Sequence, residues 1–306
     1  IGKPDMEYET LKSSINKITL TKEEEKAEYI PQFIKLYGNP EAVQIVAEDS
    51  YYLNKMRETV KRLKSIRGQY SSNKDFYVAV SQVFAQTYIP LMIQEYGITD
   101  EVLVTKLLNI ANGTGIKIFD RGEAQVYAES FGDRINGDIG AFKYRDMICF
   151  TPDAESKQVE VSVEESVINA ERMLSSMIHE TMHLVINVTK EEHFNYDDQS
   201  KLTSGGTILN EGLVEMYSLD FAKKYNLIHL PALYYLNNVR MCRALKELYG
   251  EEEFERLAFS GTYEEMIPNE LLEQYKLAER IRYFARKGYT VDPTKIDILE
   301  KSKKTL

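Results

Sequence analysis

Two of the chain's four histidines, His179 and His183, stand four positions apart with Glu180 between them. On a helix of about 3.6 residues per turn, positions i and i+4 lie one above the other on one face. Two imidazoles so placed can grip one metal ion, and the Glu180 carboxylate leans over the same spot. His179-Glu180-Thr181-Met182-His183 therefore has the H-E-x-x-H form with which a zinc hydrolase holds its metal and keeps a carboxylate within reach of bound water. The competing reading is a pair of surface histidines on a helix, and it weakens beside a second stretch.

That stretch is Leu209-Asn210-Glu211-Gly212-Leu213-Val214-Glu215-Met216-Tyr217, separated from His183 by the 27 residues 184–210. The interval is long enough for a loop and a turn back into a second helix. A catalytic zinc held by three protein ligands needs one donor beyond two histidines, and His2Glu is an established set. Glu211 and Glu215 are again i and i+4. One of them can bind metal while the other accepts the Nδ1–H of a ligand histidine and so fixes its tautomer. The alternative for Glu211 is a helix-N-terminal carboxylate favoured by the macrodipole.

HETMH followed by LNEGLVE resembles the gluzincin metallopeptidases, the thermolysin-like and aminopeptidase-like clan with the signature H-E-x-x-H…N-E. The resemblance covers only about residues 164–220. It implies one Zn2+ on His179, His183 and Glu211, Glu180 as general base, and Glu215 as the acidic partner of the first histidine. Rival patterns fail: a metzincin has glycine and histidine where this chain has Ile186 and Thr189, and Gly206-Thr207-Ile208-Leu209 lacks the aspartate of an aspartate-ligand enzyme. The resemblance also implies a substrate-pairing strand ahead of the metal helix, expected at 139–144 or 146–150 with Gly140, Ala141 and Phe142 favoured, by β-augmentation. It implies an oxyanion donor from a C-terminal helical subdomain, for which Tyr283, with Arg280 one turn earlier, is the candidate and Tyr275 and Tyr289 are rivals. Aminopeptidases of this clan carry a G-A-M-E-N-like stretch; here Gly140-Ala141 is followed by Phe142-Lys143-Tyr144, so aminopeptidase specificity is not expected.

These residues need a scaffold, and 306 residues with 43% hydrophobic and 28% charged content can bury a sizeable core. The formal charge of −10 excludes a phosphate-neutralising nucleic-acid role and disfavours anionic membranes. No apolar run is expected to reach the roughly 18–20 residues of a membrane span. Cys149 and Cys242 do not make a disulfide framework, and Cys149 reads as a small core residue on a strand. The sequence leaves oligomeric state and localisation open, with secretion or a cell-surface place expected if a leader has been removed.

The fold class expected is α+β, mostly helical: an N-terminal helical region (1–112), a zincin-like catalytic subdomain with a small mixed sheet and the H-E-x-x-H helix (113–226), and a C-terminal helical subdomain completing the cleft (227–306). Helices are expected from Thr21 to Tyr37, from Pro40 to Arg67, from Asn73 or Asp75 to Tyr96, and from a Thr99 cap to Ile110. Tyr51, Tyr52, Tyr70, Tyr77 and Tyr88 should pack between them. Ala111–Gly115 is the break after which the period changes, with strands at 116–119, 124–128, 139–144 and 146–150. An amphipathic helix is expected over 164–188. A polar loop over 189–207, made movable by Gly205 and Gly206, follows it as a rim or lid. Helices over 231–249, 251–260, 269–287 and 293–302 should complete the chain. His193 reads as a solvated loop histidine and His229 as an unremarkable residue opening a helix.

The function expected is peptide-bond hydrolysis by a metal-activated water acting on a peptide or protein substrate, with Glu180 as base. Two alternatives stand beside it. One is an inactive zincin-like binding protein; the other is a closed structural zinc site with a fourth ligand from 191–198.

Overall fold

A computed structural model describes residues 50–120, 122–131, 140–144, 146–154, 160–186, 205–231 and 235–259. Three helices come first: α1 (Ser50–Arg67), α2 (Asn73–Glu95) and α3 (Glu101–Ala111). Ser72 caps α2 by accepting the Asp75 amide at 3.1 Å, and Pro90 lies inside the helix without ending it. The cap of α3 is Asp100, not Thr99: its carboxylate accepts the Leu103 amide at 2.8 Å. Tyr52, Tyr77 and Tyr88 are buried and Tyr51 and Tyr70 pack against the same core. By length and composition α2 could cross a bilayer, contrary to the expected absence of such a run. Its Phe76, Tyr77, Val80, Tyr88, Ile89 and Met92 are instead buried in the core.

The chain doubles back at Gly115, whose amide donates to the Asn109 carbonyl at 2.7 Å; a Cβ there would lie 2.8 Å from the Ile110 nitrogen. It then enters β1 (Ile116–Ile118), α4 (Glu123–Glu129), β2 (Ala141–Tyr144) and β3 (Met147–Phe150). The segment 124–128 is thus helix, not strand. Its alternating apolar residues fit either period over so short a run. Ala124 and Ala128, one helical turn apart, are buried, while Val126 is left 68% exposed. The sheet is mixed, in the order β1-β3-β2, with β1 parallel and β2 antiparallel to β3. Among the described residues β2 is therefore an edge. Cys149 lies buried in β3, and Cys149 and Cys242 are both free thiols.

The helix carrying H-E-x-x-H, α5, runs from Val163 to Ile186. Ser162 caps it by accepting the Glu165 amide at 3.1 Å, a Ser-x-x-Glu start with Glu164 and Glu165 in the first turn. Its first half is amphipathic, with Glu165, Ile168, Arg172 and Ser176 half-buried along one face, but every residue from Met177 to Ile186 is buried. The reason is that α1, α2, α6, β2 and β3 all pack on it. Tyr88 of α2 ties into it, its hydroxyl 2.6 Å from that of Thr181, while the Met177 carbonyl accepts from Thr181 at 2.8 Å and from Tyr88 at 3.4 Å.

Helix α6 (Gly205–Lys224) follows, then α7 (Leu236–Tyr249) and α8 (Glu251–Phe259). Gly205 and Gly206 lie in the first turn of α6 rather than in a loop, and α7 begins at Leu236 rather than 231. Gly212 lets α6 and α7 touch: a Cβ on it would sit 2.7 Å from the Asn238 carbonyl oxygen and 2.8 Å from the Cys242 sulfur. Asn226, with φ of 58°, ends α6; the Leu227 amide reaches back to the Ala222 carbonyl at 2.8 Å and the Asn226 amide to the Lys223 carbonyl at 3.4 Å. That reversal sends the buried segment Leu227–Leu230 back across α5. One core cluster draws on residues from Tyr52 to Ala258; a smaller one gathers Phe119, Ala124, Ala128, Phe142, Tyr144 and Cys149. The expected helices at 21–37, 269–287 and 293–302, the start of the second helix at Pro40 and the loop of 189–204 lie outside the described residues.

Candidate metal centre

The site joins two helices, each presenting a pair of residues one turn apart: His179 and His183 on α5, Glu211 and Glu215 on α6. Oε2 of Glu211 lies 3.3 Å from Nε2 of His179 and 3.5 Å from Nε2 of His183. A tetrahedral ion bonded at about 2.0–2.1 Å holds its ligand atoms about 3.3–3.4 Å apart. The observed separations are those of a tetrahedron's edges and are long for hydrogen bonds. All three ligand atoms lie within 4.8 Å of one another. Two imidazole nitrogens and one carboxylate oxygen are also a donor set that zinc accepts. The residues fit a metal ion.

A second trio, Nδ1 of His179, Oε2 of Glu215 and Nε2 of His229, is equally close. Its spacing is different in kind. The His179 Nδ1–H donates to Glu215 at only 2.7 Å, too short for two ligands of one tetrahedral ion, and Glu215 lies 3.1 Å from His229. This trio is a hydrogen-bonded support. With Nδ1 donating to Glu215, the Nε2 lone pair of His179 is left facing Glu211.

The electrostatics follow from burial set against pairing. Burial pushes the Glu211 carboxyl up, but the neighbouring His183 and His179 outweigh it and hold it well below the usual carboxylate range. Burial likewise opposes ionisation of Glu215, yet His229 and His179 bring it down to about 2. Burial lowers His179, but the Glu211 and Glu215 carboxylates beside its ring nitrogens, with the charge of Glu180, raise it well above its ordinary value.

Glu180 is buried beside these groups. Burial, with the charge of Glu211, raises its carboxyl above the ordinary value; the charges of His179 and His183 and a hydrogen bond from the Lys143 main-chain amide offset this only in part. The sheet explains that amide. Thr151 donates to the Gly140 carbonyl at 2.9 Å, so along the alternating antiparallel ladder Phe142 turns its main-chain groups to Cys149, while those of Ala141 and Lys143 face the open edge. Lys143 spends its amide on Glu180.

Of the three substrate-strand residues expected, Ala141 is half-buried with main-chain groups on that edge, and Gly140 is exposed. The main chain of Phe142 serves β3 and its side chain is buried in the smaller core cluster, with its ring parallel to that of Phe119. Arg280 and Tyr283, and with them Tyr275, Tyr289 and His193, lie outside the described residues. Two residues near the candidate ligands stand outside the sequence expectations. The Tyr235 ring lies parallel to the imidazole of His179, centroids 5.3 Å apart. His229 is no unremarkable opener of a helix but is buried against α5. The apolar Leu227-Ile228-His229-Leu230-Pro231 run was the available signal, since a histidine inside such a stretch must find partners. Searches against protein-family models, curated proteins and solved structures match nothing to this chain.

Proposed function

We propose that the protein is a zinc-dependent peptidase of gluzincin-like design, with the sheet and the α5–α6 pair forming a zincin-like catalytic unit. The observation that supports this most is the spacing of the His179, His183 and Glu211 ligand atoms at 3.3 and 3.5 Å, with Glu180 buried alongside. His179, His183 and Glu211 would hold the ion, which supplies a Lewis acid and a bound water of lowered pKa, near about 7. Glu180 would act as the general base, taking a proton beside the scissile carbonyl and giving it to the leaving amine. The Lys143 amide holds the Glu180 carboxylate in place. Glu215 fixes the His179 tautomer from behind. An extended peptide would pair with the outward main-chain groups of β2, Ala141 among them. A closed structural site has no use for the buried Glu180.

The test is Glu180→Gln, with zinc content measured beside turnover of fluorogenic peptides. Full zinc occupancy with turnover down about 10²–10⁴-fold is expected for loss of a general base. Retained zinc with undiminished turnover would remove Glu180 from that role.

A further inference from the structure

We infer that His229 is a positioning residue of the metal centre: by clamping Glu215 it fixes the orientation and tautomer of His179. The inference rests on the metal reading above. Its basis is a continuous set of contacts. Nδ1 of His229 lies 2.6 Å from the Ser175 carbonyl, one turn before His179 on α5, and Nε2 lies 3.1 Å from Oε2 of Glu215. A carboxylate only accepts, so the bond to Glu215 is made by an Nε2–H of His229. The same Oε2 accepts the Nδ1–H of His179 at 2.7 Å. Ser175 is hooked a second time, its hydroxyl accepting the Leu230 amide at 2.8 Å. The segment after the Asn226 turn is thus pinned to the helix turn that carries His179. The His179 and His229 rings run parallel, centroids 6.3 Å apart, on either side of the shared oxygen's bonds.

The consequence is mechanical. Glu215 is fully buried, and a buried carboxylate with one donor removed either turns or recruits another. If it turns, His179 loses the acceptor that keeps its proton on Nδ1 and its Nε2 bare. A partner of this outer kind typically changes metal affinity by about 10–100-fold.

The two amide replacements separate the bonds. Asn places its donor near the Nδ1 position and keeps the link to Ser175; Gln places it near Nε2 and keeps the link to Glu215. Zinc affinity is measured by competition with a chromophoric chelator, together with the visible spectrum of the Co2+-loaded protein and melting of the metal-free form. The expectation is that His229→Asn binds zinc about 10–100-fold more weakly and shows an altered Co2+ spectrum. His229→Gln stays close to the wild type, and the two metal-free variants melt together. Equal affinity in both variants, or affinity lost in step with melting temperature, overturns the inference. If His229→Asn does not fold, long-range 1H–15N spectra of the zinc-loaded wild type decide, and with only four histidines they are simple to assign. A proton on His229 Nε2 and a proton on His179 Nδ1 alone support it; a bare His229 Nε2 overturns it. A wild-type protein that takes up no zinc sinks the proposed function as well, whereas a tight-binding His229→Asn variant sinks only the present inference.

Discussion

Nε2 of His179 and Oε2 of Glu211, 32 residues apart in sequence, lie 3.3 Å from each other across the α5–α6 interface. That separation is long for a hydrogen bond and right for two ligands of one ion, so Glu211 should matter through its charge and its lone pairs rather than its bulk. Glu211→Gln keeps the shape and one acceptor oxygen but removes the charge. Zinc affinity is expected to fall by more than the roughly 10–100-fold typical of partners one bond further out. Chelator competition measures it, and an unchanged affinity would show that Glu211 is not a ligand.

Gly212 tests how Glu211 is held in place. Alanine is better than glycine in a helix interior by about 1 kcal/mol. Here its methyl would lie 2.7 Å from the Asn238 oxygen and 2.8 Å from the Cys242 sulfur, and forcing an atom into a packed interface costs about 1–3 kcal/mol. The clash is with backbone, which gives least, so it should win. Gly212→Ala is expected to be net less stable in urea and to bind zinc more weakly, because α6 must move and Glu211 with it. A variant as stable as the wild type would contradict the close approach of α6 and α7.

Glu171, two turns before His179, provides a pH dependence independent of the metal. It is buried, its Oε1 meets no hydrogen-bond donor, and burial pushes its carboxyl up to about 8 against the pull of Arg172. The folded chain therefore keeps a proton there that the unfolded chain releases near the ordinary 4.5. The folded state binds more protons between those values, so stability from this group is complete below pH 4.5 and drains away as pH rises towards about 8. The slope is at most about 1.4 kcal/mol per pH unit. Glu171→Gln, neutral at all pH, should lack that slope and gain on the wild type as pH rises. Urea unfolding of the metal-free proteins at acidic and mildly alkaline pH compares them; parallel profiles would show that Glu171 is not held neutral.

How much of this was legible beforehand differed by residue. The pairs His179/His183 and Glu211/Glu215 could be read because one helical turn is a local rule, and it put each pair on one face without knowledge of the rest. The edge position of β2 could be anticipated, but Phe142 could not be assigned. Whether a strand residue turns its main chain inward depends on the ladder register, which Gly140 and Thr151 set from opposite strands. The segment 124–128 reads as a strand because five residues alternate as well as they spiral; burial of Ala124 and Ala128 is decided by the sheet residues they pack on. His229 was missed for a related reason. Its partners Ser175 and Glu215 lie 54 and 14 residues away, and only the left-handed Asn226 turn brings it to them.

In the proposed function three side chains hold one zinc ion and leave room for water. X-ray absorption at the zinc edge of the loaded wild-type protein addresses it directly. Two imidazoles and a shell of only nitrogen and oxygen neighbours at about 2.0–2.1 Å, four in all, are expected. A sulfur neighbour, a single imidazole, or a hydrated six-oxygen shell would contradict it.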